Sequence, residues 1–336
     1  MTIALTVVAA VAVCLVGAAL LQRWLEARDR RRFAPPGRLV QVGDELVHVV
    51  VEGSGPTVLI DSGLGGSSIE WAAVSADLAA DFTVVRYDRP GFAWSPPGGR
   101  HTPVAAANRI ERLLTELDVP APWILVGHSM GGLTVRLVAS LFPDHVAGLV
   151  LVDPSHEAML DDDAARRSSD RFARAVRAVV ATARFGTARV VGRAYAKVVA
   201  AQARQPIADG TLLATSTRLT LCTVHGLRAV AAELVGLPAA LAEVAATTAQ
   251  HPLPPVPLTV ITAAAPARTA AEEKARDTIG KLHAQQAAAV PLGRQVLATR
   301  SGHLVPLDQP ELVAAVVRQT AVAATSGAWG VEVTAS

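Results

Sequence analysis

Between residues 38 and 325, short apolar runs alternate with helix-length stretches, and this alternation restricts the fold more than any other feature of the chain. Residues 38–43 and 45–52 read as two strands joined at Gly43-Asp44. Thr57–Asp61, Phe82–Tyr87, Trp123–Val126, Ala147–Val152, Leu258–Thr262 and Gln295–Ala298 read as six more. Helices are expected at Ser68–Ala80, Thr102–Leu117, Ser129–Leu141 and Leu312–Thr325. Within Thr102–Leu117, Ile110, Leu113, Leu114 and Leu117 recur three and four residues apart and share one face. Strands this short and apolar are buried on both sides, which requires a mainly parallel sheet covered by helices on both faces. The expected class is α/β, with the core formed by residues 38–153 and 254–326.

Residues 154–253 interrupt that pattern. The segment is rich in Ala and Arg and holds no convincing strand, so it reads as a helical lid over the C-terminal edge of the sheet. Arg167, Arg171, Arg174 and Arg177 share a helix face, with Phe172, Val176, Val179 and Val180 roughly opposite. Such a basic face is either solvated or a docking surface for anionic lipid.

The N-terminus is of another kind. Met1 to Gln22 carries no charged side chain, and that length of helix spans about 33 Å, enough for a hydrocarbon core of about 30 Å. A secretory signal would begin with basic residues and end in a small-x-small site; here the first basic residue is Arg23 and Ala18–Gln22 is a poor site. Residues 1–22 are therefore expected to be an uncleaved transmembrane anchor and residues 23–37 a basic juxtamembrane linker, with Trp24 at the interface. Six arginines against Glu26 and Asp29 in residues 23–38 place the body on the cytoplasmic side of a single-pass membrane protein.

Composition removes other classes. Hydrophobic residues make up 51% and charged residues 18%, which excludes intrinsic disorder. A net charge of +2 gives no bulk electrostatic basis for binding nucleic acid. Two distant cysteines, Cys14 and Cys222, make neither a disulfide framework nor a zinc site.

Gly127-His128-Ser129-Met130-Gly131 follows the apolar run Trp123–Val126 and opens a helix. A serine on such a strand-to-helix turn has its hydroxyl exposed at the sheet edge. Glycines on either side make room for the backbone, and the helix start offers N–H groups to a developing anion.

Four segments in order now carry a resemblance to the α/β-hydrolase superfamily over about residues 38–325: Asp61-Ser62-Gly63-Leu64-Gly65-Gly66-Ser67, Tyr87-Asp88-Arg89-Pro90-Gly91-Phe92, the Ser129 turn, and Ser301-Gly302-His303. The resemblance implies a Ser129–acid–His303 triad, an oxyanion hole from the backbone N–H groups of Leu64 and Met130, and no metal or organic cofactor. The first segment departs from the family in having Ser62 where His often precedes Gly, a change that spares a role resting on backbone groups. Asp88 and Arg89 look like the family's structural turn. His128 reads as packing, since neighbours on the turn point apart, and His156, just past Asp153, is a candidate pocket residue.

The acid is the open member of the triad. Many relatives carry it after the penultimate strand, where this chain reads Thr262-Ala263-Ala264-Ala265-Pro266 and has none. Asp153, ending a buried apolar strand, is favoured, because a carboxylate there is badly solvated unless partnered. Glu272, Glu273 and Asp277 on a predicted surface helix are the alternatives, as is a purely structural Asp153.

The implied function is a membrane-anchored serine hydrolase that cleaves a small or lipophilic carboxylic ester through an acyl-enzyme on Ser129. Its partners would be the ester and membrane lipid, reached by the N-terminal helix and the basic lid. Amide hydrolysis, C–C hydrolysis and cofactor-free haloperoxidation use the same triad. Epoxide hydrolases and dehalogenases of the superfamily place Asp where Ser129 stands. The reading from another class is a ligand-binding or signalling protein on a hydrolase scaffold.

Overall fold

A computed structural model describes residues 1–160, 163–205 and 210–329. Its centre is one eight-stranded sheet: β1 (Arg38–Val42), β2 (Glu45–Glu52), β3 (Thr57–Asp61), β4 (Thr83–Tyr87), β5 (Trp123–His128), β6 (Val146–Val152), β7 (Leu258–Ala263) and β8 (Gly293–Ala298). The spatial order is β1-β2-β4-β3-β5-β6-β7-β8. β1 and β2 pair antiparallel, as do β2 and β4, and every later pairing is parallel. β3 and β5 are buried along their whole length, as a central strand covered on both faces must be.

Helices cover both faces. One face carries α2 (Ala72–Leu78) and α11 (Pro310–Ser326), where Val74, Leu78, Val313 and Val317 pack on Val58, Ile60, Val126 and Val150. The other carries α3 (Pro103–Glu116) and α4 (Met130–Leu141), where Ile110, Leu114, Leu133 and Leu137 pack on Leu59, Leu125 and Leu149. Alternate residues of β3 and β5 thus feed opposite cores, the period-two consequence of the pleat. Thr102 caps α3 by accepting a hydrogen bond from the Ala105 N–H, with Pro103 in the first turn.

The segment between β6 and β7 holds α5 (Asp163–Thr182), α6 (Thr187–Gln202), α7 (Gly210–Leu219) and α8 (Val224–Gln250), and no strand among the described residues. α8 puts Leu241 and Val244 into the main core. On α5, Arg167, Arg171, Arg174 and Arg177 are exposed and Val176, Val179 and Val180 are half-buried. Phe172 departs from the expected apolar side: it is exposed beside the arginines, because Ala173 is the residue that faces inward.

α1 (Thr2–Arg32) runs unbroken past the expected anchor boundary. Residues 23–32, the first part of the basic juxtamembrane segment, are helical. They continue the helix and rest on the lid, where Gln22 Nε2 donates to the Cys222 carbonyl at 3.0 Å and the Val224 N–H donates to Glu26 at 2.8 Å. Asp29, fully buried, pairs with Arg189 of α6 at 2.8 Å. Among the described residues two helices are long and apolar enough to cross a membrane, α1 and α8, and the apolar stretch of α8 is 39% buried inside the molecule. Both cysteines are free thiols.

Candidate active site

Ser129 stands where β5 meets α4, with φ 53° and ψ −118°. Holding a residue other than glycine there costs about 1–3 kcal/mol and persists only where the surroundings over-determine it. Here the Ser129 N–H donates to the Val152 carbonyl at 3.1 Å, and the Ser129 carbonyl accepts from Gly132 and Ser155, both at 3.0 Å. The turn is so close that a Cβ on Gly127 would stand 2.5 Å from the Gly131 carbonyl oxygen, and one on Gly131 would collide with the Asp61 carbonyl.

Asp153 ends the neighbouring strand, also at positive φ (41°). Its Oδ1 accepts from the Ala263 N–H at 2.9 Å, and its Oδ2 accepts from His303 Nδ1 at 2.7 Å. His303 Nε2 lies 3.1 Å from Ser129 Oγ. The three side chains named from the sequence are thus linked in one hydrogen-bonded chain. Burial would raise the Asp153 carboxyl, but the His303 hydrogen bond and charge and the Ala263 N–H outweigh it and hold the group below the ordinary range. Burial would lower the His303 imidazole; the hydrogen bond and charge of Asp153 prevail and hold it above its ordinary value. Glu272, Glu273 and Asp277 lie on α9 (Ala270–Ala287), where Glu272 pairs with Arg204 and Arg276. Among the described residues none of the three hydrogen-bonds His303.

The Met130 N–H is the first of α4 and so has no carbonyl four residues back within the helix to bond. Leu64 lies in the loop after β3, and Arg89 grips that loop. Arg89 Nη1 donates to the Ser62 carbonyl at 2.7 Å and Nη2 to the Gly63 carbonyl at 2.6 Å. A trans peptide is planar, so fixing the Gly63 carbonyl also fixes the Leu64 N–H, which points the opposite way. Arg89 is itself held by Glu233 of the lid at 3.0 Å. Asp88 accepts from His48 at 2.7 Å and from the Ser68 N–H at 2.7 Å. Both residues of the turn therefore brace the site from behind.

Four contacts made by three side chains, His128, Asp308 and Glu70, have no trace in a motif. His128 Nε2 donates to the His303 carbonyl at 2.8 Å, latching the histidine loop to the serine turn. Burial and the charge of His303 push His128 down to about 3, so it stays neutral. Asp308 accepts from the Gly302 N–H at 3.1 Å and from the Arg204 N–H at 2.9 Å, which ties that loop to the end of α6. Glu70, in the helical turn Ser68–Trp71, accepts from Ser216 of α7 at 2.6 Å. Apart from Gly302 and Asp308, which stand six residues apart, only position in the fold unites these pairs.

Ser129 and His303 open into a cavity of about 240 Å³, lined by Gly63–Gly66, Glu70, Tyr195 and side chains of α6 and α7. A larger cavity of about 400 Å³ lies between Arg100–Pro103 and α8, away from the serine. His156 lines neither; it faces a third cavity with Leu160 and Pro238. Among the described residues no group of three or more His, Cys, Asp or Glu side chains is gathered to hold a metal ion.

A parallel sheet with a strained serine at the strand-to-helix turn, and an Asp and a His delivered by later strands, defines the α/β-hydrolase fold. Residues 56–196 match the sequence model of the family described as alpha/beta hydrolase fold. It is 40% identical over 103 residues to an uncharacterized protein of Mycobacterium tuberculosis, 30% of each chain. It is 35% identical over 122 residues to a fluoroacetate dehalogenase of a Burkholderia species, 34% of this chain and 40% of that one. These matches span well under half of the relatives' own length. A thermophilic esterase from Thermogutta terrifontis superposes with a TM-score of 0.63 at 22% identity, over 86% of this chain and 99% of the esterase; at that identity the likeness is one of fold.

Proposed function

We propose that the chain is a membrane-anchored serine hydrolase that cleaves a small carboxylic ester. The observation that carries the reading is the hydrogen-bonded line from Asp153 through His303 to Ser129, ending at a cavity. In this mechanism Ser129 Oγ attacks the ester carbonyl while His303 Nε2 takes its proton. Asp153 keeps the proton of the neutral ring on Nδ1, leaving Nε2 free as the base, and stabilises the imidazolium. The tetrahedral oxyanion is met by the N–H groups of Leu64 and Met130, each worth about 3–4 kcal/mol of barrier. Collapse expels the alcohol with the proton from His303, and water, activated by the same base, then releases the acid.

A cavity of about 240 Å³ favours a short acyl group over a long lipid chain. The dehalogenase relative raises a second chemistry, but relatives of that kind use Asp at the turn and this chain has Ser129. The apolar part of α1 serves as the anchor, and its arginine-rich flank places the body on the cytoplasmic side.

The test is intact mass after exposure of the full chain in detergent to a fluorophosphonate. One adduct is expected, absent in Ser129→Ala and formed much more slowly in Asp153→Asn. No adduct on a folded wild-type sample would move the reading to a ligand-binding protein.

A further inference from the structure

We propose that Glu70 and Tyr195 form a polar wall of the substrate cavity that selects an acyl group bearing a hydroxyl. The inference rests on the hydrolase reading and names the substrate class of that site.

Glu70 lies four residues past the glycine loop of the oxyanion site and lines the same cavity as Ser129. Its carboxyl is oriented from behind by a relay: Ser67 Oγ donates to Ser216 Oγ at 2.9 Å, and Ser216 Oγ donates to Glu70 Oε1 at 2.6 Å. A carboxyl has about four acceptor positions; among the described residues this one accepts from the Ser216 hydroxyl and the Ser67 backbone N–H, which leaves acceptor positions toward the cavity. Tyr195 of α6 reaches the cavity from the lid, 40% exposed, and its hydroxyl hydrogen-bonds nothing among the described residues. The cavity thus offers an unspent acceptor and an unspent donor. Its remaining surface includes Leu64, Val199, Leu213 and Leu221, which suit the hydrocarbon part of an acyl group.

A hydroxyl both donates and accepts, so it answers both groups at once. An ammonium would leave Tyr195 unanswered. A plain alkyl chain would strip water from both and return no hydrogen bond, the kind of mismatch that polar sites reject most strongly. Burial pushes Glu70 up to about 7, helped by the charge of Asp88 and opposed by the Ser216 hydrogen bond. Near neutral pH it is present both as carboxylate and as acid, and either form bonds a hydroxyl. Burial and the charge of Glu70 raise the Tyr195 phenol, which keeps it a neutral donor.

The experiment compares kcat/KM for p-nitrophenyl 3-hydroxybutyrate with p-nitrophenyl butyrate, and for the 6-hydroxyhexanoate with the hexanoate, on the full chain in detergent. At least one hydroxylated ester is expected to be preferred by about tenfold or more. Glu70→Leu removes both the acceptor and the acid proton, Tyr195→Phe removes a hydroxyl that bonds nothing among the described residues, and thermal melting checks that both variants fold; in each the preference should collapse toward one. Ratios near one for both wild-type pairs, or a preference kept by either variant, overturn the assignment. Fluorophosphonate labelling of Ser129 separates the two failures. Labelling with ratios near one removes the polar wall alone, and absence of labelling removes the hydrolase reading beneath it.

Discussion

His303 and Asp153 set each other's protonation, and that coupling has a direction. The imidazole must be neutral to accept the Ser129 proton. Its folded value lies above the ordinary 6.5 because Asp153 stabilises the charged ring. Activity is therefore complete at higher pH and is lost as pH falls through a value above 6.5. kcat/KM for the butyrate ester should show that acid limb, and the limb should persist in Glu70→Gln, which removes the other group titrating near 7. In Asp153→Asn the limb should move to lower pH and the rate should fall by roughly 10⁴-fold, since the amide no longer selects the productive tautomer. A wild-type limb below 6.5 would mean that Asp153 does not charge-couple to the base. Ser129 and His303 were legible in the chain because a strand-to-helix turn and a terminal Gly-His are local patterns. Asp153 was legible by a weaker argument, a carboxylate at the end of a buried strand that needs a partner. His128 reaching the His303 backbone and Glu70 reaching Ser216 were not legible, because those partners stand 175 and 146 residues apart.

Among the elements, α1 has two halves with different surroundings. Residues 2–21 carry their apolar side chains outward, whereas Gln22 and Asp29, one side of the next two turns, are buried against the lid. Composition revealed the first half, because a long uncharged run reads the same in any context. The docking of the second half was hidden: an Arg-rich stretch ending in Pro-Pro-Gly looks like a solvated linker, and Arg189, the partner of Asp29, lies 160 residues away. The strands were legible to within a few residues because the central ones are short apolar runs between turn residues. The short helix α10 (Val305–Asp308) after His303 was not, since four residues carry no period. The Asp29–Arg189 pair is buried at both ends, with side chains 1% and 7% exposed. Removing one member of such a pair typically costs about 3–5 kcal/mol, because the other charge is left without a partner. Asp29→Ala should therefore release residues 23–32 from the lid. Limited trypsin digestion of the detergent-solubilised chain would read this as faster cleavage at Arg28–Arg32, and Asp29→Ala combined with Arg189→Met should recover part of the protection. Cleavage at the wild-type rate in the single variant would show that the ion pair does not hold the helix down.

At the scale of the whole molecule, α1 and the lid helices form one continuous unit. On the proposed anchoring, the membrane would hold the molecule by the same helices that roof the cavity. α6 exposes Val190 and Val198, and α5 exposes Phe172 beside Arg171 and Arg174. Apolar side chains interleaved with arginines suit a surface resting on anionic headgroups. Such contact weakens with salt, because charges at a hydrated interface are screened within about 8–10 Å at 0.1–0.15 M. A spanning helix of some 20 apolar residues is held by the hydrophobic effect and is indifferent to salt. The two contributions separate by experiment. The full chain should stay with membranes through 1 M salt and alkaline carbonate. Residues 23–336, which keep the docked half of α1, should bind vesicles containing phosphatidylserine at low salt and leave them at high salt. Charge reversal at Arg167, Arg171, Arg174 and Arg177 should abolish that binding without touching fluorophosphonate labelling of Ser129. Release of the full chain by carbonate would refute the spanning helix. Failure of residues 23–336 to bind anionic vesicles at low salt would leave α1 as the only attachment and make the arginine face of α5 a solvated surface.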